Sequence, residues 1–422
     1  MLLTVVLIAV GVLWFLATCQ GAWSLVSGLR FYRYVQRHLA DGNGSPCFAP
    51  PAAVILPCCG LDERLSDTVK AVLRQDYPDY EVIFAFESSE DPAFTAVGRW
   101  ASAQSVVRWR RVVAGPAESC SQKIQNLLAG LASVSADRET LAFLDSDAIP
   151  PRGWLTGLVR PLGDPTIGAT TGFRWYTTNG TLAGGVRSAW NAASVTFLHD
   201  EKLAFCWGGS TAVRRGTFDR LDIAARWRRA LSDDYQVTRA VRDAGLRIHF
   251  VPRCLLPSPE ETTLRGFFTF ARRQLVITRV CAPKVWRTGL GLACNFIVGA
   301  TAVAATAVWA YFDGRHSLMI GALAAWGVIL ALAGLKSILR QMAVRKVLRP
   351  PDVSRADFLF DVIGVGFIGV LHLVLLLSSA RSRRLAWRNR LYEMVSPDET
   401  LVLGRTEPAG PARAPQPMVG LT

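Results

Sequence analysis

Apolar residues in this chain are concentrated in one block at the start and three blocks after residue 288, with a mixed stretch between them. The first block, residues 1 to 25, carries no charged side chain. A helix needs about 20 apolar residues to cross a bilayer, and a signal peptide would begin with basic residues, so this block predicts a membrane span. Residues 289 to 312, 318 to 335 and 358 to 380 predict three more segments within a membrane region from 284 to 380.

Basic side chains follow three of the four apolar blocks. They are Arg30, Arg33 and Arg37 after the first block, Lys336, Arg340, Arg345, Lys346 and Arg349 after the third, and Arg381, Arg383, Arg384, Arg388 and Arg390 after the fourth. Such clusters mark cytoplasmic ends of spans and contacts with anionic headgroups. We therefore expect a multi-pass protein of the inner (plasma) membrane, with residues 26 to 50 as a basic linker and a cytoplasmic middle domain.

The fourth apolar block conflicts with this orientation. A full crossing would place the basic stretch from Arg381 to Arg390 outside, against the positive-inside tendency. Either the block is re-entrant, or it crosses and the tail lies at the far interface. Residues 336 to 357, with several bases and the Pro350-Pro351 break, predict an interfacial amphipathic segment. Residues 381 to 422 predict a basic stretch followed by a disordered tail rich in Pro, Ala and Gly.

The net charge of +14 has a simpler source than nucleic acid. No Lys-rich run, zinc-ligand spacing or RNA-binding signature accompanies it, so we expect no nucleic-acid partner. The nine cysteines show no CxxC spacing, and adjacent Cys58 and Cys59 cannot close an ordinary disulfide. This favours a reducing compartment for the middle domain.

The middle region, residues 51 to 283, alternates short β-branched runs with helical stretches and ends in an aromatic interfacial segment. The alternation predicts an α/β domain with a largely parallel sheet. Predicted strands are Ala53–Leu56, Glu81–Phe86, Val106–Val113 and Leu141–Leu144, and predicted helices are 64–75 and Gln122–Leu131. Ligands of such sheets gather at the carboxyl ends of the strands, where the acidic motifs of this chain fall.

Two carboxylates, Asp145 and Asp147, stand one residue apart directly after a predicted strand. Two oxygens so placed can share one divalent cation, Mg²⁺ or Mn²⁺, which in turn neutralises a diphosphate. The alternative is a polar surface turn. The apolar run before the pair and the Pro-Pro turn after it favour the metal site.

A second acidic loop, Glu87 to Pro92, leaves the second predicted strand. Asp91 there can accept hydrogen bonds from a nucleotide, or it can cap the helix that begins at Pro92. Lys123, at the start of a predicted helix, can meet a phosphate or a base carbonyl, although a lone lysine is more often solvated.

A third acidic motif, Ser232-Asp233-Asp234, opens a predicted helix. The helix N-terminus lowers the proton affinity of a carboxylate, whereas a second carboxylate and burial raise it, so one of the two acids can serve as a general base. Helix capping explains one acid and leaves the other without a role. Further on, Arg272, Arg273 and Gln274 can hold a diphosphate leaving group, or the two arginines can anchor the helix to anionic lipid.

Taken in order, these segments resemble the lipid glycosyltransferases of the ceramide glucosyltransferase family, within the inverting transferases of GT-A fold. The matching segments are Gln75 to Val82, Glu90 to Ala93, Lys123 to Leu127 and Trp387 to Tyr392, with Asp145 and Asp234 between them. The resemblance implies that Asp91, Lys123 and Asp145 bind the sugar nucleotide, Asp145 and Asp147 bind the metal, and Asp234 is the general base. The family's last motif is Gln or Arg, two residues, then Arg-Trp, and Phe270 and Gln274 depart from it.

The resemblance implies transfer of a sugar, glucose or N-acetylglucosamine, from a UDP-sugar to a hydroxyl of a membrane lipid, ceramide-like or hopanoid, with inversion. Two alternatives remain. A processive polysaccharide synthase would need a larger membrane channel than this chain offers. A non-catalytic membrane scaffold could keep the fold without the chemistry.

Overall fold

The computed structural model describes residues 2–40, 48–104, 107–178, 180–349 and 352–405. Its helices are α1 (Leu2–Ala40), α2 (Leu65–Val72), α3 (Pro92–Ser102), α4 (Gln122–Ala132), α5 (Trp154–Val159), α6 (Leu182–Val195), α7 (Arg215–Arg220), α8 (Ile223–Trp227), α9 (Asp233–Asp243), α10 (Leu264–Cys281), α11 (Pro283–Phe312), α12 (His316–Val344), α13 (Arg355–Ile363) and α14 (Val365–Ser379). Its strands are β1 (Ala52–Pro57), β2 (Tyr80–Phe86), β3 (Arg108–Val113), β4 (Thr140–Leu144), β5 (Ile167–Tyr176), β6 (Ser210–Arg214), β7 (Arg247–Ser258), β8 (Arg384–Trp387), β9 (Arg390–Ser396) and β10 (Glu399–Arg405).

The central sheet has seven strands in the order β3-β2-β1-β4-β6-β5-β7. Pairing is parallel except at β6, which runs antiparallel to β4 and β5. Val54 and Ile55 are both fully buried, in separate apolar clusters, because helices cover both faces of the sheet. The predicted α/β class with a largely parallel sheet is therefore confirmed. The first residue of the predicted third strand, Val106, lies outside the described residues.

Three helices, α1, α11 and α12, are long and apolar enough to cross a membrane. They pack closely through small residues: a methyl group on Gly299 of α11 would lie 2.7 Å from the Cβ of Ala17 of α1. The Trp14 indole N–H donates to the Ala325 carbonyl of α12 at 3.0 Å. Small residues and interhelical hydrogen bonds are the usual means of joining membrane helices. Helix α1 also continues through Ala40, so the described first part of the predicted linker is helical.

The fourth apolar block forms a bent pair, α13 and α14, with an angle of 71° between them. Asp361 of α13 accepts hydrogen bonds from Arg340 and Gln341 of α12, which holds α13 across the end of that helix. The predicted interfacial segment begins as the last turns of α12, and its Pro350-Pro351 break lies outside the described residues.

The predicted basic stretch after α14 forms an antiparallel sheet in the order β10-β9-β8, which sequence analysis did not anticipate. Tyr392 and Met394 alternate with more exposed neighbours and bury one face, as a half-buried strand requires. The Tyr392 hydroxyl accepts from the backbone N–H of Gln122 at 3.2 Å, which ties this sheet to α4. The predicted disordered tail lies, from residue 406, outside the described residues.

Candidate active site

The acid pairs predicted from sequence meet at one lysine. Asp145 follows β4, Lys123 lies in the first turn of α4, and Asp233 opens α9. The Lys123 Nζ lies 2.9 Å from Asp145 Oδ1 and 3.1 Å from Asp233 Oδ2. Burial alone would lower the pKa of Lys123, but the two carboxylates outweigh it and raise that pKa. Lys123 is therefore charged and bridges two acidic loops that are far apart in sequence.

Arg174, in the buried strand β5, holds the other acid of the first pair. Its guanidinium donates to Asp147, with Nη1 to Oδ2 at 3.0 Å, and to Glu260 at 2.8 Å. Its Nη2 also lies 3.4 Å from Asp145 Oδ2. Burial alone would raise the pKa of Asp147, but Arg174 lowers it to about 2. Arg174 was not among the residues predicted from the sequence, although a cation within an otherwise uncharged strand is a usable signal.

Asp233 and Asp234 play different parts although they are neighbours. Burial raises the pKa of Asp233 to about 6, with Lys123 opposing this shift and Asp234 adding to it. Asp234 is less buried and lines the cavity described below. Its Oδ1 accepts from the Tyr235 N–H at 2.8 Å, while Oδ2 has no hydrogen-bond partner among the described residues. One oxygen of Asp234 therefore serves the helix start, and the other remains a free acceptor.

Two glycines directly before β6, Gly208 and Gly209, lie against these acids. A methyl group on Gly208 would lie 2.1 Å from Asp233 Oδ2, and one on Gly209 would lie 2.5 Å from Asp145 Oδ2. No larger residue fits between β6 and the carboxylates without moving them. The Gly208-Gly209 turn is therefore part of the packing that brings the acids together.

Asp91 is placed differently from the other predicted site acids. It caps α3 by accepting from the Ala93 N–H at 2.8 Å, and it also accepts from the Gly60 N–H at 2.9 Å. Within the described residues it is not part of the cavity wall that carries Asp145 and Asp234. The capping interpretation of Asp91 holds, and its nucleotide-binding role remains a prediction.

A cavity of about 1700 Å³ begins at the acids and extends to the apolar helices α1, α11 and α12. Its wall includes Asp145, Asp147 and Asp234 at one end and Leu292 and Ile329 at the other. Most of the wall between them is apolar and aromatic. The site therefore joins a polar sheet edge to a chamber bounded by α1, α11 and α12.

Of the three predicted leaving-group residues on α10, Arg273 and Gln274 line the cavity and Arg272 does not. The Arg273 guanidinium lies 5.1 Å from the centre of the Trp387 ring and 5.5 Å from that of Phe270. Burial lowers the pKa of Arg273 to about 10, and the residue makes no ion pair among the described side chains. A guanidinium without an anionic partner beside the acids is suited to bind a phosphate group.

The turn between β8 and β9 closes part of the cavity wall. Arg388 in this turn has a φ of 53°, in the left-handed region, and donates to both oxygens of Asp62 at 2.9 and 2.7 Å. Such a backbone conformation in a non-glycine residue persists only where surrounding contacts hold it. This segment matches a family motif in the sequence, but no spacing rule places it at the site.

A divalent cation at this site would depend on the carboxylates and on the phosphates of the substrate. The described residues contain no group of three or more His, Cys, Asp or Glu side chains that could hold a metal alone. Mg²⁺ is commonly held by one or two carboxylates together with phosphates of the substrate, and Asp145 and Asp147 offer two. Their side chains are 23% and 27% exposed to the cavity. The pair therefore fits a cation shared with a diphosphate.

A mostly parallel sheet whose strand ends carry acids beside a cavity is the arrangement of GT-A glycosyltransferases. The fold is similar to that of the mannosyltransferase PcManGT from Pyrobaculum calidifontis, solved with GDP-Man and Mn²⁺, at a TM-score of 0.50 and 20% identity, over 80% of this chain and 99% of that one. Glucosyl-3-phosphoglycerate synthase from Mycobacterium tuberculosis, solved with Mn²⁺, UDP and glucosyl-3-phosphoglycerate, matches at a TM-score of 0.36 and 17% identity, over 57% of this chain and 80% of that one.

The particular family follows from the sequence. The family model described as Glycosyl transferase family 21 matches residues 9–400. The chain therefore belongs to this family, the ceramide glucosyltransferase family, and is a glycosyltransferase that uses a nucleotide sugar. The expected resemblance, the GT-A fold and the enzyme class are thereby confirmed.

Proposed function

We propose that this protein transfers glucose or N-acetylglucosamine from a UDP-sugar to a hydroxyl of a membrane lipid, ceramide-like or hopanoid, with inversion at the anomeric carbon. The observation that carries this proposal is the continuous cavity, which has Asp234 at one end and side chains of the apolar helices, such as Leu292, at the other. A water-insoluble acceptor can reach the acids from the bilayer through it. A soluble acceptor would not require an apolar chamber.

The protein is proposed to lie in the inner (plasma) membrane with the catalytic domain on the cytoplasmic side. In this arrangement the bent pair α13–α14 is re-entrant, because both of its ends meet the catalytic domain. Asp357 near the start of α13 accepts from the Thr178 N–H at 2.8 Å. Arg388, beyond α14, pairs with Asp62 at 2.7 Å. A segment that leaves and returns on one side does not cross, which removes the conflict with the positive-inside tendency.

The donor is proposed to bind with its diphosphate near Asp145 and Asp147. Lys123 and Arg174 now neutralise these acids, so both cations can turn toward the phosphates as the donor enters. A Mg²⁺ or Mn²⁺ ion held by the two carboxylates would offset the charge that develops on the departing diphosphate. Arg273, which has no acid partner, is placed to assist on the cavity side.

Transfer is proposed as a single displacement. The free Oδ2 of Asp234 takes the proton of the acceptor hydroxyl as that oxygen attacks the anomeric carbon. The bond from this carbon to the diphosphate oxygen breaks, and UDP leaves with the electron pair. Attack from the face opposite the nucleotide inverts the configuration.

Membranes containing the protein, incubated with radiolabelled UDP-glucose, UDP-N-acetylglucosamine or UDP-galactose, would test the proposal. Label from one of the first two donors is expected in the organic extract, depending on a divalent cation that a chelator removes. Label in a water-soluble polymer would indicate a polysaccharide synthase. No transfer with any donor and lipid extract would favour the scaffold.

A further inference from the structure

The membrane-side end of the cavity contains a lysine that the sugar-transfer chemistry does not use. Lys336 of α12 lines the cavity, whose wall also includes Ser24 and Ser27 of α1 and Ser337. An ammonium inside a protein cavity is costly unless an anion or a hydrogen-bond acceptor faces it.

The nearby acid is already occupied by other groups. Asp361 accepts from Arg340 Nε at 3.1 Å and from Gln341 Nε2 at 2.8 Å through Oδ2, and a second bond from Arg340 occupies Oδ1. Lys336 makes no ion pair or hydrogen bond within the described part of the chain. The cluster of Lys336, Arg340 and Asp361 therefore holds two cations and one anion, and the unmatched charge is the ammonium of Lys336.

The aliphatic part of the Lys336 side chain packs against α1 at Gly28. A methyl group on Gly28 of α1 would lie 3.0 Å from Lys336 Cγ, so the absence of a side chain at Gly28 leaves the passage for the stem. The ammonium lies 5.9 Å from the ring centre of Phe197, a residue of the catalytic domain. A lysine near the end of a membrane helix ordinarily extends its side chain outward, so that the ammonium reaches water at the interface. This one points between α1 and the catalytic domain instead.

We propose that Lys336 is the centre of an anion site for the phosphate of a membrane lipid that lies in the cavity. The inference rests on the membrane placement in the proposed function. A compact ammonium suits a phosphate as a point charge, and serine hydroxyls of the same cavity wall can donate to the remaining oxygens. Leu292, Phe296 and Ile329 on the same wall offer apolar surface for acyl chains. An anionic phospholipid can contact both the ammonium and the apolar surface, whereas a free phosphate can contact only the ammonium.

The test uses the full chain in zwitterionic phosphatidylcholine nanodiscs, titrated with fluorescent phosphatidylglycerol. Lys336→Met keeps the stem and removes the charge, and should fold because the buried ammonium is costly. It is expected to weaken binding about tenfold, whereas Lys336→Arg should stay within about twofold. Lys346→Met is the matched control, because Lys346 is an exposed lysine of the same basic segment. It should bind like the wild type.

Equal binding by Lys336→Met and wild type would overturn the site. Equal losses in Lys336→Met and Lys346→Met would also overturn it, since they would indicate diffuse attraction to the basic segment. Displacement of phosphatidylglycerol by inorganic phosphate at comparable affinity would assign the site to a soluble anion and overturn the lipid assignment. Photo-crosslinking of wild-type protein by a headgroup-labelled phosphatidylglycerol needs no substitution: adducts near Lys336 support the site, and adducts confined to exposed surface contradict it.

The lipid site and the sugar transfer can fail separately. Asp234→Asn is expected to lose transfer and keep phosphatidylglycerol binding, because Asp234 lies at the other end of the cavity. A protein that transfers sugar but binds phosphatidylglycerol no better than phosphatidylcholine would retain the proposed function and lose this inference.

Discussion

The two ends of the cavity use charge in opposite ways. At the sheet end, two cations are held between carboxylates: Lys123 bridges Asp145 and Asp233, and Arg174 bridges Asp147 and Glu260. At the membrane end, Arg340 pairs with Asp361, and the ammonium of Lys336 has no anionic partner among the described residues. Under the proposed function the sheet end receives a cation together with a phosphorylated donor, and under the further inference the membrane end receives an anion. Changes at one end should therefore leave the other intact.

The largest effect is expected from Asp234→Asn, which removes the proton acceptor at the sheet end. General-base catalysis contributes about 10²- to 10⁴-fold, so transfer should fall by that order while UDP-sugar affinity stays close to wild type. Initial rates and isothermal titration would measure the two quantities. Asp243→Asn is the control, because Asp243 lies at the other end of α9, exposed and paired with Arg226. Near-wild-type turnover by Asp234→Asn would refute its role as the base.

A smaller loss is expected from Gly208→Ala, which tests the packing of the sheet end. The added methyl would meet Asp233 Oδ2 and displace it from Lys123, so we expect kcat/KM to fall about 10- to 100-fold, the cost of small misplacements in active sites. Gly216→Ala is the matched control, since a methyl there meets nothing within 4 Å. If both variants behave alike, the close approach at Gly208 does not position the acids.

At the membrane end, Gly299→Val should lower stability without changing donor binding. The larger side chain collides with Ala17 and with the Leu13 carbonyl at 3.0 Å, and overpacking costs about 1 to 3 kcal/mol. Thermal unfolding in detergent would show a lower Tm. Gly291→Val, on the same helix with nothing within 4 Å, is expected to unfold close to wild type. A large loss of UDP-sugar affinity in Gly299→Val would contradict the independence of the two ends.

The smallest effect concerns pH and belongs to the sheet end alone. The folded-state pKa of Asp233 is raised to about 6, so its stabilising contribution is complete below the unfolded pKa of about 4 and is lost as pH rises through 6. The folded-state pKa of Asp147 is lowered to about 2, so its contribution is present above pH 4 and is lost as pH falls toward 2. Asp233→Asn should flatten the decline in Tm between pH 4 and 6. An unchanged slope would show that Asp233 does not titrate in this window.

The sheet end was predictable from sequence because parallel strands place their carboxyl ends at one edge. Asp145 follows a strand, and Lys123 and Asp233 begin helices that return to the same edge, so their convergence follows from topology. Arg174 was missed because β5 was not among the predicted strands, and because alternation rules treat a charge in a buried strand as an exception. Asp91 shows a further limit, since its contact with Gly60 depends on a loop that no periodicity specifies.

The membrane end was only partly predictable. Composition alone identifies α1, α11 and α12 as apolar segments, and among the described residues these three helices meet the length and hydropathy needed for a span. Composition cannot distinguish a membrane span from the bent pair α13–α14, because tertiary contacts of Asp357 and Asp361 set the bend. The sheet β8–β10 was missed because its basic residues dominate the pattern and mask the alternation of Tyr392 and Met394.

The turn at Arg388 also has a consequence for biosynthesis. Every apolar segment precedes this turn in the chain, so a ribosome completes the cavity wall only after the last of them has emerged. That wall is therefore closed by an ion pair between the loop after β1 and one of the last turns of the catalytic domain to be synthesised.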